Sequence, residues 1–151
     1  MSLRVLRVGV AAAALAGAGV TGYLLSARWG AGELVCRTGG CETVQASGYA
    51  EVLGIPVAAL GLATYAAIAF LMLFASPKAL AAAVSLALAA CLFSAYLLVV
   101  QAAVIGELCD WCLVNDALVS VVAALVPVMA WRSATGSAAT SAPRGATHVP
   151  G

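Results

Sequence analysis

Four apolar runs decide what this chain can fold into. Residues 8–25, 55–75, 79–105 and 113–131 each carry at most one charge, and each is near or above the roughly 18–20 residues that span a bilayer as a helix. The third run exceeds what a span needs, so its membrane part is expected from about Val84, over 84–105. A continuous backbone in hydrocarbon must be helical or a closed barrel, and none of the runs shows the alternation of a barrel strand. The expected fold class is therefore an all-α integral membrane protein, a four-transmembrane-helix bundle with an extracytoplasmic cap loop over 26–54. Ala and Gly recur through 11–19 and 58–67, which lets helix backbones approach closely.

Composition agrees. The chain of 151 residues is 64% apolar and only 9% charged, where a soluble domain would be about 45–50% apolar and about 25% charged. A net charge of +1 without a basic stripe gives no footing for nucleic acid. The single histidine, His148, lies in the C-terminal tail, which argues against a buried histidine base. That tail, 133–151, is mostly Ser, Ala, Thr, Gly and Pro and is expected to be disordered in the cytoplasm, leaving 1–132 as the membrane domain.

The first run has a rival reading. Arg4 and Arg7 ahead of an apolar stretch, with Ala16-Gly17-Ala18 in the A-x-A pattern, look like a secretory signal peptide. The run continues to Leu25, longer than a usual signal core, so an uncleaved helix is expected. With a cytoplasmic N-terminus, Arg4, Arg7, Lys78, Arg132 and Arg144 fall inside, against Arg28 and Arg37 outside. Both termini are then cytoplasmic.

In that topology Cys36 and Cys41 lie in the first outside loop, and Cys109 and Cys112 where the second outside loop enters the fourth run. Cys91 sits inside the third run and reads as a small buried hydrophobe. Two pairs on the oxidising side of a membrane point to redox chemistry or structural bridging. Cys109-Asp110-Trp111-Cys112 is a C-x-x-C at a helix start, where backbone N–H groups and the dipole favour a thiolate. The same spacing serves zinc, with the C-x4-C pair completing a four-cysteine site. The lack of a nearby histidine and the oxidising compartment weigh against metal, and no metal is assigned. Cys36 and Cys41 close over a loop with two glycines, suited either to an exchanging disulfide or to a staple.

The order of these features is a helix, a C-x4-C loop, Ser47 six residues after Cys41, Gly54-Ile55-Pro56 opening the second helix, and C-x-x-C at the fourth. The combination resembles the vitamin K epoxide reductase family, specifically its bacterial homologues, over about residues 8–131. The resemblance implies a four-helix bundle around a quinone, menaquinone or ubiquinone, with the first outside loop as a cap. It implies a bacterial inner-membrane enzyme that reoxidises a periplasmic or secreted DsbA-like or thioredoxin-like thiol oxidase and so supports disulfide formation. Carried onto this chain, Cys36 and Cys41 match the shuttle pair, Cys41 passes electrons to Cys109 through a transient bond, and Cys112 faces the quinone. Ser47 matches a quinone-contacting serine or threonine, with capping of a short helix as the alternative.

The chain also departs from the family. Asp116 stands where vertebrate members carry a quinone-contacting Tyr, one helical turn past Cys112. It is placed with Ser47 and Cys112 as a candidate quinone contact, or else sits wet at the interface beside Asn115. The second run offers no donor, since Val57 and its neighbours are apolar. These departures put vitamin K epoxide in doubt as a substrate and leave quinone reduction standing. No thioredoxin-like domain follows Trp131, so the partner is expected to be a separate protein. Two rivals remain: a CcdA-like transmembrane electron conduit, which would want its cysteines within the helices, and a non-enzymatic membrane protein with stapled loops.

Overall fold

A computed structural model of the chain describes residues 2–30, 32–74 and 76–140. Four long helices, α1 (Leu3–Arg28), α3 (Val57–Leu73), α4 (Pro77–Val99) and α5 (Asp110–Thr140), pack in a closed ring in which α1 touches α3 and α5, and α4 touches α3 and α5. Between α1 and α3 lies the short helix α2 (Cys41–Ala46), a 3₁₀ turn at Gly48–Ala50, and a hairpin of β1 (Glu51–Val52) with β2 (Ile55–Pro56). The hairpin pairs antiparallel, Glu51 with Pro56 and Val52 with Ile55, through a two-residue turn in which Leu53 (φ 53°) and Gly54 (φ 80°) are both left-handed. Such a turn matches the twist of its strands and favours Gly at its second position.

Three helical segments, Leu3–Arg28, Pro77–Ile105 and Asp110–Gly136, are long and apolar enough to cross a membrane. The apolar α3 has 17 residues, about 25 Å of helix. The core of the ring is formed by Val10, Ala13 and Ala14 of α1, Tyr65 and Ile68 of α3, Ala83 and Ala87 of α4, and Val119, Val122 and Val126 of α5. The outer surfaces stay apolar: Leu15, Leu73 and Leu92 are each more than 70% exposed. In water such a surface would be a liability, and in lipid it is the solvent-matched face.

Small residues set the close approaches. A Cβ on Gly17 would stand 2.2 Å from Cζ of Tyr65, and one on Gly61 would stand 2.8 Å from Cγ2 of Thr21. The α1–α3 contact therefore depends on glycine on both sides.

Each of the four long helices departs from the sequence expectation at one end or both. α1 starts at Leu3 instead of residue 8, because Ser2 caps it by accepting from the Val5 amide at 3.3 Å. α3 starts at Val57 instead of 55, since Ile55 and Pro56 are extended in the hairpin. α4 starts at Pro77 instead of 84, with Ser76 as N-cap accepting from Ala79 and proline in the first turn, where its missing N–H costs nothing. It runs into a π-helical segment, Val100–Ile105, which stops at left-handed Gly106.

The fourth difference is the largest: α5 begins at Asp110 instead of 113 and continues to Thr140 instead of ending at 131. Residues 133–140, expected as tail, are helical. Alanine is the best helix former, and the Ser133 and Thr135 hydroxyls bond back to the Met129 and Trp131 carbonyls. The rest of the expected tail, 141–151, lies outside the described residues.

Candidate functional site

The early start of α5 places the C-x-x-C astride its N-terminus. Cys109 takes the capping position, its carbonyl accepting from the Leu113 amide at 3.0 Å and its Sγ from the Cys112 amide at 3.3 Å. The Cys109 amide, which would otherwise be orphaned, donates to Oε1 of Gln101 at 3.1 Å. Gln101 itself is buried and sits in the π-helical segment, a distortion that recurs at functional sites. Hydrogen bonding from the Cys112 thiol holds the Cys109 thiol below the usual range, against the opposing effect of burial and with help from the Cys112 and Trp111 amides. The thiolate-favouring position expected of the motif is thus that of Cys109.

Cys36 and Cys41 form a disulfide, with Cα atoms 5.9 Å apart, while Cys109 and Cys112 are free thiols. The four sulfurs are not equally accessible. Cys41 and Cys109 are both fully buried and belong to one cluster with Val44, with Cys36, Cys112, Ile105 and Trp111 packed around it. Cys36 and Cys112 are half-buried: Cys36 lies in the loop between α1 and α2, and Cys112 lines a cavity.

The loop carrying Cys36 is tied down along its backbone. The Val35 amide donates to Oη of Tyr23 at 3.1 Å, and the Val35 carbonyl accepts from Nε1 of Trp111 at 2.8 Å. The Arg37 and Thr38 amides donate to Oδ2 of Asp110 at 2.7 and 3.1 Å, and the Thr38 hydroxyl donates to the Leu108 carbonyl at 2.8 Å. Arg28, a positive charge on the side expected to be outside, donates to the Gln45 carbonyl at 2.8 Å and pairs with Glu51, fastening the end of α1 to α2 and β1.

A cavity of about 160 Å³ lies inside the ring beneath α2. Its walls are mostly apolar, and its polar groups include Gln45 and Ser47, Thr64 and Tyr65 of α3, Ser94 of α4, Gln101 of the π-helical segment, and Cys112 and Asn115 of α5. Oη of Tyr65 donates to Oδ1 of Asn115 at 3.0 Å, and Nε2 of Gln45 lies 4.0 Å from Sγ of Cys112.

Of the residues expected at a quinone site, Cys112 and Ser47 line this cavity. The Ser47 hydroxyl donates to the Val44 carbonyl at 2.7 Å, and the residue stands between the C-terminal end of α2 and the start of the 3₁₀ turn, a capping position for both short helices. Asp116 is set behind the cavity wall, where its Oδ1 accepts from the Ser94 hydroxyl. Its Oδ2 is buried without a partner among the described residues. The donor expected to be missing from the second run around Val57 is supplied farther along it: Thr64 and Tyr65 of α3 reach the cavity two turns beyond Val57. The sequence alone suggested no site role for Gln45, Gln101 or Asn115. The last two were visible as uncommon polar residues inside apolar runs, the usual mark of a membrane-embedded site.

Four helices, three of them long and apolar enough to cross a membrane, surround a cavity with a cysteine on its wall, the build of a membrane protein with a redox-capable site. The family model for the vitamin K epoxide reductase family matches residues 8–127, and the chain belongs to that family. No curated protein sequence matches it.

Proposed function

We propose that this chain is a thiol:quinone oxidoreductase that reoxidises a separate DsbA-like or thioredoxin-like thiol oxidase and passes the electrons to a membrane quinone, menaquinone or ubiquinone. The observation that carries the reading is the placement of the four cysteines: half-buried Cys36 in the loop after α1, buried Cys41 and Cys109 in one cluster, and half-buried Cys112 on the cavity wall. In this reading α3 is the fourth span, the redox cysteines face outside the bacterial inner membrane, and both termini are cytoplasmic.

The relay balances at every exchange. A partner thiolate attacks Cys36, the more accessible sulfur, and the Cys36–Cys41 bond breaks with Cys41 leaving as thiolate. The partner's second thiol resolves the mixed disulfide, freeing Cys36. With Cys109 and Cys112 oxidised, the Cys41 thiolate attacks Cys109, the Cys109–Cys112 bond breaks, and Cys112 leaves as thiolate. Cys36 then attacks Cys41, restoring Cys36–Cys41 and releasing Cys109. The bonding found here, Cys36–Cys41 joined and Cys109 and Cys112 free, is the state at the end of that sequence.

The cavity residues fit a quinone ring. The volume is of the class that takes up one aromatic ring, the walls are apolar, and amide and hydroxyl groups of Gln45, Tyr65 and Asn115 stand at its edges. A quinone held there would supply the acceptor for the two electrons and two protons released when the Cys109 and Cys112 thiols reclose their disulfide. Cys112 presents its sulfur to the cavity, while Gln101 and the α5 N-terminus hold Cys109 beside it.

The direct test is quinone reduction by the purified protein in detergent, with a reduced thioredoxin-fold oxidase as donor. Turnover is expected for the native chain and its loss for Cys112→Ala. No turnover across several quinones and donors would overturn the reading.

A further inference from the structure

The two residues between Cys109 and Cys112 have side chains that turn away from their own cysteines and toward the other pair. Asp110 accepts from the Arg37 and Thr38 amides through one oxygen, Oδ2, which also lies 3.7 Å from Sγ of Cys36. Trp111 donates from Nε1 to the Val35 carbonyl, and its ring stacks at a tilt on Tyr23, centroids 4.8 Å apart. Together these bonds take up the backbone polar groups of the segment immediately around Cys36. Beyond Thr38 the chain turns through Gly39 (φ 82°) and Gly40 to Cys41. Two successive glycines give that stretch little stiffness of its own, so the anchors on the Val35–Thr38 side act together with the packing of Gly40 against Leu108 to fix Cys41 relative to Cys109.

We propose that Asp110 and Trp111 are positioning residues for electron transfer between the two cysteine pairs: they dock the Val35–Thr38 backbone onto the mouth of α5, which brings Cys41 against Cys109. This rests on the relay described above and specifies which side chains make it possible. Attack of Cys41 on Cys109 forms one S–S bond while the Cys109–Cys112 bond breaks, and it requires the incoming sulfur in line with the outgoing one. A loop released from α5 would sample that alignment rarely. The C-x-x-C is on this view two devices in one, with cysteines that carry electrons and intervening residues that hold the donor pair in reach.

The test measures proximity itself. In the full-length chain carrying Cys36→Ser, Cys91→Ala and Cys112→Ser, only Cys41 and Cys109 remain, and their disulfide is the trapped form of the transfer intermediate. Its equilibrium constant in a glutathione buffer gives the effective concentration of one sulfur at the other. Adding Asp110→Ala is expected to lower that constant by about tenfold or more, and Trp111→Phe, which keeps the ring on Tyr23 and removes only the N–H, by about threefold to tenfold. Asp110→Asn retains an acceptor oxygen for the two amides and is expected to recover most of the loss, which a general effect on folding would not produce.

Unchanged constants in both Asp110→Ala and Trp111→Phe would overturn the proposal, and so would a loss in Asp110→Asn equal to that in Asp110→Ala. If the parent with only Cys41 and Cys109 forms no bridge at all, the relay itself fails and the proposal falls with it, an outcome distinct from the other two.

Discussion

Gly40 lies directly against Leu108: a Cβ built on it would stand 2.5 Å from the Leu108 carbonyl oxygen and 3.0 Å from its nitrogen. Both neighbouring atoms are backbone and cannot swing aside. The absence of a side chain at this one position is what lets the Cys41 loop press on the residues leading into Cys109.

Gly40→Ala is therefore expected to push the two cysteine pairs apart while leaving the helical ring intact. Transfer from Cys36–Cys41 to Cys109–Cys112 should slow by about tenfold or more, with a stability loss of about 1–3 kcal/mol from overpacking. Gly48→Ala, where nothing stands within 4 Å, is the control. Single-turnover oxidation of the Cys36–Cys41 pair, followed by thiol labelling, checks it.

The lowered Cys109 pKa has a definite consequence for pH. Its folded value lies below that of an ordinary thiol, about 8.5, so in the reduced protein it contributes stability that is fully present above the ordinary value. That contribution is lost as pH falls through the Cys109 value. Between the two, the reduced chain should gain stability with rising pH, and Cys109→Ser should remove that gain. Because the Cys112 thiol is the chief donor to Cys109, Cys112→Ala should move the Cys109 titration upward. Thiolate absorbance in the far ultraviolet reports both.

How much of this was legible beforehand depends on how local each signal is. Apolar runs and cysteine spacings are read residue by residue, so the helices and the two pairs could be placed. The ends of the helices were misjudged by letting bilayer thickness decide, although Ser76-Pro77 and Ser2 are ordinary helix-start signals that were there to be read. The cavity lining was less accessible. Whether Tyr65, Gln101 and Asn115 point inward depends on how each helix is rotated against its neighbours, and runs apolar on every face carry no periodicity to show it. Asp116 pairs with Ser94, 22 residues away in sequence, a long-range pairing no local pattern reveals.

Gly17 and Tyr65 give a packing test with a built-in control. Alanine at 17 would collide with the Tyr65 ring, whereas a Cβ on Gly19 meets nothing within 4 Å. Gly17→Ala should cost about 1–3 kcal/mol and shift the Tyr65 hydroxyl off Asn115, while Gly19→Ala should be neutral. Truncating the ring with Tyr65→Leu in the Gly17→Ala background should restore much of the stability. Apparent melting temperatures in one detergent compare the four chains.

Ser94 and Asp116 carry the last expectation, and it separates stability from function. A carboxyl group between α4 and α5 has one oxygen satisfied by Ser94 and the other buried without a partner among the described residues. Removing the hydroxyl alone, in Ser94→Ala, leaves both oxygens wanting and should cost about 1–3 kcal/mol. In an Asp116→Leu background the same change should cost little, giving a coupling energy of similar size in a double-mutant cycle. Asp116→Leu by itself should melt no lower than the native chain, since an acid inside an apolar bundle is an expense that leucine does not incur. If quinone turnover nevertheless falls in Asp116→Leu, the acid is retained for the reaction and not for the fold. Equal turnover in the two chains would instead make Asp116 a tolerated neighbour of Ser94.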